Sequence, residues 1–161
     1  MKENKFRELT AEEKEIKSKI YVGIDPDVSK SGVAIWDVLK KNLELDNLKF
    51  FDLFQNLVYL KNSYGERVVV IIEAGWLNKS NWHAVKGGNS SINAQIGQRT
   101  GANHEVGKKI VEMCEYFEIE HELIKPTRSK VDAKMFAKIT GVIGRTNQEQ
   151  RDAGMLVFGR K

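Results

Sequence analysis

The chain has 161 residues and a mass of 18.3 kDa, one domain's worth of sequence and enough to close a single core. Charged residues make up 30% and apolar ones 41%; that balance argues against disorder, and no apolar run is long enough for a membrane helix. The formal net charge is +4, the pI about 9.1, and Cys114 is the single cysteine, which excludes an internal disulfide framework and a cysteine-based zinc site and suggests a reducing, cytoplasmic compartment.

Residues 1–18 read as a charged N-terminal extension, too polar for a signal peptide, ahead of a domain over 19–161. Thr10 and Glu13 have capping-box spacing, which predicts a short helix over about 11–18. The β-branched run from Lys19 to Asp25 predicts a buried strand that ends on a carboxylate. The polar turn Pro26–Gly32 and the run Val33–Trp36 predict an antiparallel hairpin partner. A third strand is expected over about 47–51, then a helix over about 52–62 with Leu53, Leu57 and Leu60 on one face. Arg67–Glu73 is the strongest strand; its five consecutive β-branched residues suit burial on both faces, and it too ends on a carboxylate. Residues 78–101 read as a long loop or broken helix start. Val106, Ile110, Cys114 and Phe117 predict a helix over about 102–117, and Glu118–Ile124 alternates as a strand. Val131, Met135, Ile139 and Val142 predict a helix over about 129–143, and a last helix is expected over about 147–159. Three strands in succession, then strands alternating with helices, imply an α/β fold: a mixed five-stranded sheet with helices on both faces.

In such sheets ligands bind beyond the carboxyl ends of strands. Asp25 and Glu73 would meet there if their strands are neighbours; singly, each also reads as a solvated strand end or a helix cap. Glu149 and Asp152 stand three apart, on one face of the last helix. An acidic first turn is favoured by the helix dipole alone, an explanation stronger for Glu149 than for Asp152. Two stretches are basic. Residues 79–109 carry Lys79, Lys86, Arg99, Lys108 and Lys109 against Glu105 alone, and residues 121–161 hold nine basic against four acidic side chains. These are solvated faces or a phosphate-binding footprint.

At this point the chain resembles a family. Gly23-Ile24-Asp25-Pro26 at the end of a first strand is similar to the RuvC-type Holliday-junction resolvases of the RNase H-like nuclease superfamily. Val70-Ile71-Ile72-Glu73 followed by Trp76 resembles that family's second acidic motif with its junction-binding aromatic. Gly97-Gln98-Arg99-Thr100-Gly101 resembles the opening of its long helix, with the Arg and second Gly placed differently. Lys125 and Lys130 resemble its basic positions near the scissile phosphate, and Glu149-x-x-Asp152-Ala153 its final acidic pair. The likeness runs in the same order over about 19–160. Asp27 stands where the family usually has Gly, and Glu149 where Asp or His is commoner.

The resemblance implies an RNase H-like fold and a metal-dependent endonuclease that hydrolyses phosphodiester bonds of branched DNA, in a bacterial or phage-infected cell. Asp25, Glu73, Glu149 and Asp152 would hold Mg²⁺ or Mn²⁺, two ions in all, which their oxygen-only donor set suits. Lys130 or Lys125 would offset charge on the phosphorus. Trp76, Lys79, Lys86, Arg99, Lys125 and Lys130 would contact DNA, with Trp76 exposed and stacked on a base at the branch point. The protein would be a homodimer, matching the near-twofold symmetry of a four-way junction, paired through the helix over about 102–117. Other RNase H-like nucleases, acting on RNA/DNA hybrids or flaps, and a non-catalytic branched-DNA-binding subunit are the alternatives. The actin-like ATPases share a Gly-Ile-Asp opening but need a second domain. Gly101–Lys109 departs from a phosphate-binding P-loop in spacing and in its last residue. His83, His104 and His121 lack zinc-ligand spacing.

Overall fold

A computed structural model describes residues 10–78 and 89–161. The elements follow the order α1 (Ala11–Lys17), β1 (Ile20–Asp25), β2 (Ser31–Asp37), β3 (Asn42–Leu48), α2 (Phe50–Tyr64), β4 (Val68–Glu73), α3 (Ser90–Tyr116), β5 (Glu120–Ile124), α4 (Ala133–Thr140) and α5 (Gln148–Val157). They build one mixed five-stranded sheet in the order β3-β2-β1-β4-β5. β1 pairs antiparallel with β2 and parallel with β4, and β5 adds parallel to β4.

The sheet has a core on each face because its central strands alternate between two apolar surfaces. Val22, Ile24, Val68, Val70 and Ile72 face α2 and α3, where they pack with Leu53, Leu57, Leu60, Ile110, Met113 and Cys114. Val69 and Ile71 face the opposite way and pack with Ala34, Trp36, Ala153 and Val157 under α5. All six residues of β4 are buried, as a central parallel strand requires. Cys114 is core, and burial pushes its thiol up to about 12.

Three elements differ from the sequence expectation. β3 lies at 42–48, not 47–51. It is an edge strand whose leucines divide between the two faces, Leu43 and Leu45 toward α5 and Leu48 toward α2 and α3, and hairpin register with β2 sets its limits. α3 begins twelve residues before the expected start, at Ser90, where the Asn89 side chain accepts from the Ile92 N–H. Its first half is polar and shows no apolar stripe, so periodicity does not reveal it. α4 is shorter than expected, running from an Asp132 cap to left-handed Gly141. It buries Phe136 against Gly154, whereas the expected inward residues Met135 and Ile139 are exposed. Apolar residues on both sides of this helix made its phase ambiguous.

Candidate metal centre

Pleat parity brings the two strand-end carboxylates together. Gly23 and Asp25 follow one face of β1, while Val69, Ile71 and Glu73 follow the same face of β4. Ile24 pairs with Ile72, so Asp25 and Glu73 leave adjacent parallel strands side by side, on the α5 face. α5 reaches them because glycines remove side chains from its path. A Cβ at Gly23 would overlap the Ala153 carbonyl, and one at Gly32 the Glu149 carbonyl. An Asn147–Gln150 capping box starts α5, and Asn147 Nδ2 donates to Asn47 Oδ1 of β3 at 2.6 Å.

One oxygen each from Asp25, Glu73 and Asp152 lies within 4.8 Å of the others. Glu149, one turn earlier on α5, stands outside this trio, although its charge still acts on Asp25. Burial, then the charges of Glu73 and Asp152, push the Asp25 carboxyl up to about 8; Lys130 opposes the shift and Glu149 adds to it. Burial also raises Glu73. Lys130 supplies the cation that the trio attracts: its Nζ lies 2.5 Å from Asp152 Oδ2 and 3.7 Å from Glu73 Oε1. Burial alone lowers Lys130, but the hydrogen bond to Asp152 and the charges of Glu73, Asp152 and Asp25 hold it above the usual lysine range. One ammonium would not neutralise the three groups if all were ionised, and in the metal-free protein Asp25 keeps its proton up to about pH 8. The remaining negative charge and the all-oxygen donor set fit a hard divalent cation.

A second layer, which the sequence did not disclose, orients this cluster. Gln148 Nε2 donates to Asp152 Oδ1 at 2.8 Å, and Arg151 Nη2 donates to Gln148 Oε1 at 2.8 Å. Arg151 also donates to the Val131 carbonyl at 3.0 Å, next to Lys130, and to the Thr146 carbonyl at 2.6 Å. An arginine among acids at the start of a helix reads in sequence as a solvated ion pair, so its carbonyl partners were the missing signal. Asp27 has a structural task. Its Oδ1 accepts the Ser29 N–H at 2.7 Å and its Oδ2 meets Arg99 and Asn103, each at 3.2 Å, tying the β1–β2 turn to α3. Burial opposes ionisation of Asp27, but these donors hold its carboxyl below the usual range.

The expected DNA-contacting residues divide. Lys125 and Arg99 are exposed, the latter paired with Asp27. Lys79 and Lys86 lie outside the described residues. Trp76 is not the exposed aromatic expected. Its ring packs on the α2/α3 core, meets His104 edge-on with centroids 6.3 Å apart, and fills the space a Cβ at Gly107 would take. The 3₁₀ turn Gly75–Leu77 directs the indole inward against α3. Among the described residues no helix is long and apolar enough to cross a membrane.

No family model and no curated protein matches the chain by sequence. Among solved structures it is similar to T. thermophilus RuvC in complex with Holliday junction substrate, with 14% identity and a TM-score of 0.51, over 86% of this chain and 89% of that one. The fold is therefore RuvC-like, of the RNase H-like type.

Proposed function

We propose that this chain is a divalent-metal-dependent endodeoxyribonuclease that hydrolyses phosphodiester bonds of branched DNA, four-way junctions above all. The observation that carries the reading is the convergence of Asp25, Glu73 and Asp152, from two strand ends and one helix, on a RuvC-like fold. Asp25, at the centre of the sheet, and Glu73 and Asp152 beside it would hold the ions, with Glu149 completing the set from the first turn of α5. A pair of Mg²⁺ or Mn²⁺ ions supplies Lewis acidity for the phosphoryl group and a nucleophilic water at neutral pH.

The protein's own groups do the rest. Gln148 fixes the free oxygen of Asp152 through its 2.8 Å hydrogen bond. Lys130 bridges Glu73 and Asp152 in the metal-free protein and, with metal bound, would offset charge on the scissile phosphate. Lys125, Arg99 and the basic stretch that includes Lys79 and Lys86 would track the backbone. The working form is a homodimer, since symmetric nicking of a junction needs two matched sites.

The test is cleavage of labelled four-way junctions, flaps, linear duplexes and RNA/DNA hybrids, in Mg²⁺ or Mn²⁺ and in chelator. The reading expects metal-dependent nicking of the junction that disappears in Asp25→Asn. Cleavage of hybrids or flaps alone overturns the substrate assignment. Junction binding without cleavage in either metal overturns the enzyme assignment in favour of a binding subunit. Sedimentation showing only an 18.3 kDa species, even with junction DNA, refutes the dimer.

A further inference from the structure

We propose that Val142 and Ile143, at the turn between α4 and α5, form an apolar wedge that enters a base step of branched DNA beside the carboxylate cluster, an inference that rests on the nuclease reading above. Ile143 is 98% exposed, the most exposed of the large apolar side chains among the described residues. Met135 and Ile139, four residues apart on α4, are also exposed and form an apolar ridge on the helix that leads into this turn.

The tip has a defined shape. Gly141 and Gly144 flank it with φ of 75° and 119°, backbone conformations that residues with side chains rarely adopt. Its position is defined as well. Arg151 donates to the carbonyls of both Val131 and Thr146, so the excursion from 131 to 146 leaves and returns at a single side chain, adjacent in sequence to Asp152. Ile143 is three residues from Thr146, which limits its reach from that anchor to about 10 Å.

The charge around the ridge selects the partner. Lys134, Lys138 and Arg145 are exposed on the same excursion, and its one acid, Asp132, is engaged in capping α4. A polyanion fits this surface. An isologous contact with a second copy would set these cations against their own equivalents. Aliphatic side chains that insert between base pairs unstack and kink a duplex, at least cost where stacking is already interrupted, as at a branch point. Trp76 is packed away against Gly107 and His104, so this tip supplies the apolar contact expected of that residue.

The experiment places 2-aminopurine at the branch point of a synthetic four-way junction and measures its fluorescence on binding without divalent metal. Wild-type protein should raise the signal, and Ile143→Ala should abolish the rise. The same substitution should weaken junction binding about ten-fold, leave linear-duplex binding nearly unchanged and leave the melting temperature unchanged. A wild-type protein that binds without raising the signal, or an Ile143→Ala protein that raises it fully, overturns the wedge. A change of oligomeric state in Ile143→Asp also overturns it, by assigning the ridge to a contact between copies. Junction cleavage in Mg²⁺ separates the two readings: cutting without a wedge signal removes only the wedge, and a wedge signal without cutting removes only the nuclease.

Discussion

Replacing Asp25 with Asn tests the electrostatics of the cluster directly. A carboxyl held at about 8 in the folded state, against 3.8 as the ordinary value, costs the fold nothing in acid, where both states are protonated. As pH rises from about 4 to about 8 the unfolded state releases its proton and the folded state keeps it. Stability therefore falls across that window. Each unit is worth about 1.4 kcal/mol, so the shift sets a ceiling of roughly 5–6 kcal/mol. Glu73 and Asp152 share the same repulsion, and relaxation among them leaves an expected gain of about 2–4 kcal/mol for Asp25→Asn at the alkaline end. For a chain of this size that is a rise in melting temperature of about 5–15 °C. Thermal or denaturant unfolding of both proteins in chelator should show curves that nearly coincide at the acid end and separate steadily toward the alkaline end. Millimolar Mg²⁺ should then stabilise the wild type and close the gap, with little effect on the variant. A difference that does not widen with pH refutes the account of a buried, charge-frustrated carboxylate.

Glu73→Gln or Asp152→Asn should lower junction cleavage by about two orders of magnitude or more while binding, measured by fluorescence anisotropy, survives; Glu149→Gln should cost less because that residue stands outside the close trio. Trp76→Ala should destabilise the protein by about 2–4 kcal/mol in urea unfolding, since the indole fills space between the sheet and α3. Selective loss of junction binding at unchanged stability would contradict this packing role. Arg151→Lys should weaken Mn²⁺ binding, read by calorimetry, by about ten-fold, because lysine cannot bridge Gln148 and the carbonyls of Val131 and Thr146 together. Unchanged Mn²⁺ affinity would reduce Arg151 to a role in stability alone.

Much of the centre is legible in sequence because it depends on local rules. An unbroken β-branched run identifies β4 as a central strand. Its strict alternation assigns Glu73 to the face opposite Val68, Val70 and Ile72, and the same parity assigns Asp25. The hairpin after Asp25, the last helix near 147 and the three-residue spacing of Glu149 and Asp152 are likewise short-range. Other features depend on partners distant in sequence, whose contacts leave no periodic trace. α3 extends back to Ser90 with a polar surface that Asp27 helps hold through Arg99 and Asn103. Trp76 turns inward because Gly107, thirty-one residues on, leaves room for its ring. Lys130 enters the carboxylate cluster because Arg151 holds the neighbouring Val131 carbonyl. Glu149 stands outside the trio because the close approach of α5 at Gly32 and Gly23 sets which turn of the helix meets Asp25. Backbone pleat and helical pitch determine which way each carboxylate points, whereas the close packing of elements far apart in the chain determines which of them meet.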